Sequence, residues 1–203
     1  MSVIIGHKTE DGKVYIGGDS VATSGWGVQQ SLPKEEGKVF RNGDAIFGTA
    51  GSCRAMQVLH YNFTMPDRNT KQSSENYMNV TFVSAVIKCL KDNQCAEVDN
   101  GVISFVNSLL IGYDGELYKL SSDFSLSKIR EQYHTLGIGG MVSHGAMHIM
   151  FGNGCLRENP EDSIRLALDA ACQNNAYCAP PFEIISTERE SKEGSKLVNC
   201  SVS

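Results

Sequence analysis

Two stretches decide the fold. The first runs from Ser2-Val3-Ile4-Ile5-Gly6-His7-Lys8 to Gly17-Gly18-Asp19-Ser20, and the second from Gly37-Lys38-Val39-Phe40 to Phe47-Gly48-Thr49-Ala50-Gly51. Each holds two short runs rich in β-branched or aromatic residues, separated by a turn. Thr9-Glu10-Asp11-Gly12 separates Ser2–Lys8 from Lys13–Gly17, and Asn42-Gly43 separates Lys38–Arg41 from Asp44–Thr49. Asp-Gly and Asn-Gly steps accept the positive φ of tight hairpin turns, so both stretches read as antiparallel hairpins. The first strand begins at residue 2, and Asp19 to Ser31 between the hairpins reads as a polar loop.

Working outward, Met56, Leu59, Tyr61 and Phe63 suggest a helix from Gly51 to about Met65, ended by Pro66. Asp67 to Glu75 reads as a polar connector, and Val80, Val83, Val86, Ile87 and Leu90 predict a second helix over Tyr77 to Leu90. In the second half, Val102 to Tyr113, the turn Asp114-Gly115 and Glu116 to Leu120 form a third hairpin, and Tyr133 to Ile138 is a further strand. Helices are expected over Gly139 to Met150 and Pro160 to Cys172. The latter is well marked by Asn159 as cap, Pro160 at the first position and Glu161 and Asp162 in the first turn. Phe182 to Ser186 is the last strand. This order predicts an α+β domain over residues 1–187, with antiparallel sheets covered by helices, followed by a polar tail over 188–203.

Composition narrows the function. The 203-residue chain carries 18 Lys plus Arg against 23 Asp plus Glu, a net charge of −5. Such a field gives no help in binding nucleic acid or an anionic membrane, and neither partner is expected. No apolar stretch approaches the roughly 18 residues of a membrane-spanning helix. MSVIIGHKTEDGK has neither the basic segment nor the long apolar run of a signal peptide, so the expected compartment is the cytoplasm. The seven cysteines are scattered and contain no C-x-x-C pair, as free thiols would be. His144 and His148 are spaced to share a helix face, but no third ligand is evident. Phosphate-loop, zincin and G-x-S-x-G signatures are absent, and the sequence calls for no metal or cofactor.

The residues Ser2-Val3-Ile4-Ile5, Gly17-Gly18-Asp19-Ser20, Gly37-Lys38-Val39-Phe40 and Phe47-Gly48-Thr49-Ala50-Gly51 resemble the catalytic β subunits of the proteasome and the HslV-type bacterial protease. These are N-terminal nucleophile hydrolases of the threonine peptidase class. The resemblance implies a four-layer α-β-β-α sandwich of two antiparallel sheets. It places Ser2 at the nucleophile, with Asp19, Lys38 and Gly48 as the supporting aspartate, lysine and glycine. It also implies a polypeptide substrate, a homo-oligomeric ring and an ATPase unfoldase partner.

The chemistry of that constellation can be stated independently. A serine hydroxyl is a weak nucleophile until a base takes its proton, and a free α-amine, with an ordinary pKa of roughly 7.7 to 8.0, can act as that base near neutral pH. Removal of Met1 would place both groups on Ser2. A charged Lys38 would hold the amine neutral, Asp19 would pair with Lys38, and the Gly48 N–H would donate to the developing oxyanion. Three departures from the family stand beside this. The nucleophile is Ser rather than Thr. Ile138 stands where the family has a supporting serine. Gln173-Asn174-Asn175 offers no carboxylate where the family has an aspartate. A non-catalytic structural or assembly subunit of the same fold is therefore the alternative, with a small-molecule amidohydrolase third. On the sequence, Ser2→Ala is expected to abolish hydrolysis of short peptide amides and Lys38→Ala nearly so, neither unfolding the protein.

Overall fold

The computed structural model describes residues 2–23, 29–33, 36–154 and 159–188. Met1, Cys155, Cys200 and all of the expected tail except Glu188 lie outside the described residues.

The strands are β1 (Val3–Lys8), β2 (Val14–Asp19), β3 (Val21–Thr23), β4 (Gln29–Ser31), β5 (Val39–Asn42), β6 (Ala45–Ala50), β7 (Glu97–Asp99), β8 (Val102–Ser104), β9 (Ser108–Tyr113), β10 (Glu116–Leu120), β11 (Leu126–Lys128), β12 (Tyr133–Gly137) and β13 (Phe182–Ser186). The helices are α1 (Cys53–Tyr61), α2 (Ser74–Asn76), α3 (Val83–Asp92), α4 (Gly140–Gly152) and α5 (Pro160–Gln173). A four-stranded sheet has the order β12-β1-β2-β13, and a five-stranded sheet the order β11-β10-β9-β6-β5. Within both, every pairing is antiparallel.

Side-chain alternation along β1 builds the layers. Val3 and Ile5 face one way, into a cluster with Met147 of α4 and Ile164, Ala167 and Leu168 of α5. Ile4, between them, faces the other way and joins Val14, Ile16, Val39, Ile46, Leu110 and Leu117 in the layer between the sheets. Val3, Ile4 and Ile5 are fully buried, which stabilises by about 1.5–3 kcal/mol for each side chain. On the far side of the five-stranded sheet, Phe47, Leu109 and Ile111 pack against Val58 and Leu59 of α1 and Val86 and Leu90 of α3. The result is the expected four-layer α-β-β-α sandwich.

Several elements differ from the sequence expectation. Asp19 to Ser31 is not all loop: it holds the β3–β4 hairpin. The run Val102 to Tyr113 is broken at 105–107, because Val102–Ser104 turns back on β7 while only Ser108–Tyr113 joins the large sheet. The second helix begins earlier, where the Ser73 side chain accepts from Asn76 N–H, and passes through a π-helical stretch, Tyr77–Phe82, before α3. That wider turn buries Tyr77, Met78 and Phe82. α1 stops at Tyr61, short of Met65. α5 and β13 fall where predicted, α5 opening with the Asn159 side chain accepting from Glu161 N–H at 3.1 Å.

Candidate active site

The site lies at the start of β1. Pairing of Ile4 with Gly18 brings Asp19, the last residue of β2, alongside Val3. One carboxylate oxygen, Oδ1, accepts the Val3 backbone N–H at 2.9 Å, and the other, Oδ2, accepts from Lys38 Nζ at 2.8 Å. Lys38 immediately precedes β5 in the other sheet, so this ion pair ties the two sheets together beside Ser2. Asp19 is 1% exposed, Lys38 4% and Ser2 3%. Burying two charges costs several kcal/mol per ion, and their attraction repays it only with good geometry and further hydrogen bonds. Stability alone is a weak reason for such a pair.

Ser2 is held from the opposite side by β12 and the turn into α4. Its carbonyl accepts the Gly139 N–H at 3.3 Å. Gly137 has φ +85°, and a Cβ there would lie 2.1 Å from the Ser2 carbonyl oxygen, so only glycine lets the chains approach so closely. Ser2 lines two cavities. The smaller, about 210 Å³, is also lined by Ala22, Thr23, Lys38, Thr49, Gly51, Ser52, Cys53 and Met56. The second, about 470 Å³, includes Gly51, Asn107, Lys119, Leu136 and Ile138. Thr23 Oγ1 is buried and finds no hydrogen-bond partner among the described residues, leaving a polar group able to bind a guest in the first cavity.

Ser2, Asp19 and Lys38 thus come together, whereas Gly48 lines neither of the two cavities at Ser2. It sits within β6 between β5 and β9, and a Cβ there would lie 2.5 Å from Ile4 Cγ2 and 2.6 Å from Ile16 Cγ2. Gly48 is a packing glycine that lets the sheets close. The glycine that lines both cavities with Ser2 is Gly51, at φ +141° in the turn between β6 and α1. The sequence signal for it was the Ala50-Gly51-Ser52 step into a capped helix. Ser52 does cap α1, its Oγ accepting from Arg54 N–H at 3.2 Å.

The departures from the family pattern also have places. Ile138 is 45% exposed at the rim of the larger cavity. Gln173 and Asn174 turn back on their own helix, donating to Asp169 Oδ2 and the Ala170 carbonyl. Behind Gly139 lies Cys178; burial, with the Asp19 charge adding, pushes its thiol up to about 11, and burial pushes that of Cys172 up to about 12. Both stay protonated at neutral pH. His148 faces the Tyr133 hydroxyl at 3.3 Å and His144 packs on the Tyr133 ring. Among the described residues no group of three His, Cys, Asp or Glu side chains could hold a metal.

The four-layer sandwich is the fold of HslV-type and related β-subunit structures. No protein-family model matches the sequence, and no curated protein sequence matches it. Among solved structures, the chain is similar to BPH from Thiobacillus denitrificans, with a TM-score of 0.73 at 19% identity over 95% of this chain and 100% of that one. It is also similar to a eukaryotic HslV from Trypanosoma brucei, with a TM-score of 0.61 at 16% identity over 91% of this chain and 98% of that one. Anbu, an ancestral β-subunit from Yersinia bercovieri, aligns with a TM-score of 0.62 at 9% identity over 91% of this chain and 81% of that one. At these identities the likeness is one of fold.

Proposed function

We propose that the chain is a peptidase that hydrolyses peptide bonds with Ser2, exposed by removal of Met1. The observation that carries this reading is the buried Asp19 carboxylate, bridging the Val3 N–H and the Lys38 ammonium beside a serine that lines two cavities. In this reading the free α-amine of Ser2 takes the proton from its own Oγ, and Oγ attacks the substrate carbonyl carbon. The Gly51 N–H donates to the resulting oxyanion. It takes the part that the sequence reading gave to Gly48, because Gly51 lines both cavities beside Ser2 and Gly48 lines neither. The amine then passes its proton to the departing amide nitrogen, leaving an ester on Oγ that water hydrolyses. Lys38 favours the neutral amine by repulsion between like charges, and Asp19 keeps Lys38 in place. No helix of the described residues is long and apolar enough to cross a membrane. Work within a homo-oligomeric ring fed by an ATPase unfoldase in the cytoplasm completes the proposal, and it rests on resemblance.

BPH from Thiobacillus denitrificans is known in complex with epoxomicin. We extend that ligand to this chain as a candidate occupant of the cavities at Ser2. A non-catalytic subunit of the same fold is the second reading, favoured by Ile138 and by the missing carboxylate at 173–175. Hydrolysis of short peptide amides by wild type and Ser2→Ala, with intact masses of both, tests the choice. Activity lost in Ser2→Ala, from a chain lacking Met1, supports the peptidase. An inactive wild type that retains Met1 supports the non-catalytic subunit.

A further inference from the structure

We infer that Asn107 is a positioning residue for the Ser2 reaction, acting by holding the Ser52 backbone and the Thr49 hydroxyl on the two sides of Gly51; this rests on the peptidase reading. Asn107 is 1% exposed and precedes β9, where the chain passes under the β6–α1 turn. Its Oδ1 accepts the Ser52 N–H at 3.0 Å. Its Nδ2 donates to the Ser52 carbonyl at 3.1 Å and to Thr49 Oγ1 at 3.3 Å. The one carboxamide thus binds two residues after and before Gly51, and uses acceptor and donor together. Aspartate lacks the donors and leucine lacks both, so the contact is specific to a carboxamide of this reach.

The clamp meets a backbone that needs holding. Gly51 at φ +141° is in a region that side chains rarely adopt, and a Cβ there would lie 2.5 Å from the Val106 carbonyl oxygen and 2.8 Å from Asn107 Cα. Any side chain at position 51 would therefore collide with Asn107 and the Val106 carbonyl. Asn107 also takes the Ser52 N–H out of play, since Oδ1 satisfies it and it is not available to substrate; in the peptidase reading the Gly51 N–H is the donor. Donors for an oxyanion act through fixed placement, and removing one elsewhere costs about 100- to 1000-fold in rate. Loosening its support acts on the same step.

The test combines steady-state kinetics on a peptide amide with residue-resolved amide hydrogen exchange, on Asn107→Ala and on Asn107→Asp, which keeps the acceptor for Ser52. For Asn107→Ala, kcat is expected to fall about 100-fold with KM within about threefold. Exchange is expected to rise at Ser52 while β1, β6 and α5 stay protected. Asn107→Asp should retain more Ser52 protection than Asn107→Ala, and it supplies the reading should Asn107→Ala not fold. Unchanged Ser52 exchange with unchanged kcat overturns the inference. So does loss of protection spread across the sheets with kcat and KM moving together, which marks a merely structural residue. If Ser2→Ala hydrolyses as well as wild type, the peptidase reading and the catalytic role of Asn107 fall together. A clamp that passes the exchange test while Ser2 remains essential and kcat is unaffected sinks the positioning role alone.

Discussion

Removing Lys38 should be a stability experiment as much as a catalytic one. On sequence alone, Lys38→Ala is expected to leave the fold intact. The structure argues otherwise: the Asp19 carboxylate is 1% exposed, and the Lys38 ammonium 2.8 Å away neutralises it. Lys38→Met keeps the aliphatic bulk and strands that carboxylate, at a cost of about 3–5 kcal/mol, the usual result of breaking a buried pair from one side. For a chain of this length that corresponds to a Tm lower by about 6–20 °C. Asp19→Asn, which strands the ammonium, should cost a similar amount, although its amide oxygen still accepts the Val3 N–H. In the double variant, Asp19→Asn with Lys38→Met, no charge is left unpaired, so the loss should be well below the sum of the two single losses. All three variants should be inactive towards peptide amides, and the double variant should be inactive while nearly as stable as wild type. Urea unfolding of the four proteins, completing a double-mutant cycle, measures the coupling. Single losses under about 1 kcal/mol with no coupling would refute the reasoning, because the pair would then be behaving as a solvated surface ion pair.

Three further outcomes follow from the geometry. Gly48→Ala should lower stability by about 1–3 kcal/mol, through contact with Ile4 and Ile16, and leave kcat of the folded fraction intact. Gly51→Ala should remove most activity; a reversal of these two effects in parallel melts and assays would return the oxyanion role to Gly48. Burial holds the His7 imidazole below its ordinary pKa of 6.5, and its backbone hydrogen bond to Gln132 only partly offsets this. Its stabilising effect is therefore complete above that value and is lost as pH falls through the lower folded pKa. The urea midpoint should drop between pH 7 and pH 5, and the drop should be smaller in His7→Phe; an equal drop would dissociate His7 from the effect. Among the described cysteines, exposed Cys53 should alkylate well before Cys172 and Cys178, whose thiols are pushed up to about 12 and about 11 by burial. Peptide mapping after brief iodoacetamide treatment at pH 8 reads the order, and initial labelling at Cys178 would contradict it.

Much of the fold was legible because local signals and burial agree. Asp11-Gly12, Asn42-Gly43 and Asp114-Gly115 mark hairpins that form, and the Asn159-Pro160 start of α5 works as a cap. What was not legible depends on partners distant in sequence. Val102–Ser104 and Ser108–Tyr113 look like one apolar run, and only their separate partners, β7 and β6, reveal the break between them. Ser2, Asp19 and Lys38 are named through the resemblance to proteasome β subunits and HslV-type proteases, and the fold brings the three side by side. The choice between Gly48 and Gly51 could not be read from the sequence, because both are glycines in a single short segment. Gly51 is preferred because it lines both cavities beside Ser2 and Gly48 lines neither. Asn107 carried no sequence signal at all, since a buried asparagine looks like any loop asparagine until its three hydrogen bonds are seen.

The central claim is that one residue, Ser2, supplies both nucleophile and base. Incubation of the purified protein with epoxomicin, followed by intact and peptide mass spectrometry, tests it most directly. The expected result is a wild-type chain that lacks Met1 and carries the added mass on its Ser2 peptide, losing peptide hydrolysis as labelling proceeds, while Ser2→Ala takes up none. A chain that retains Met1 and still hydrolyses peptides, or label and activity undiminished in Ser2→Ala, would contradict it.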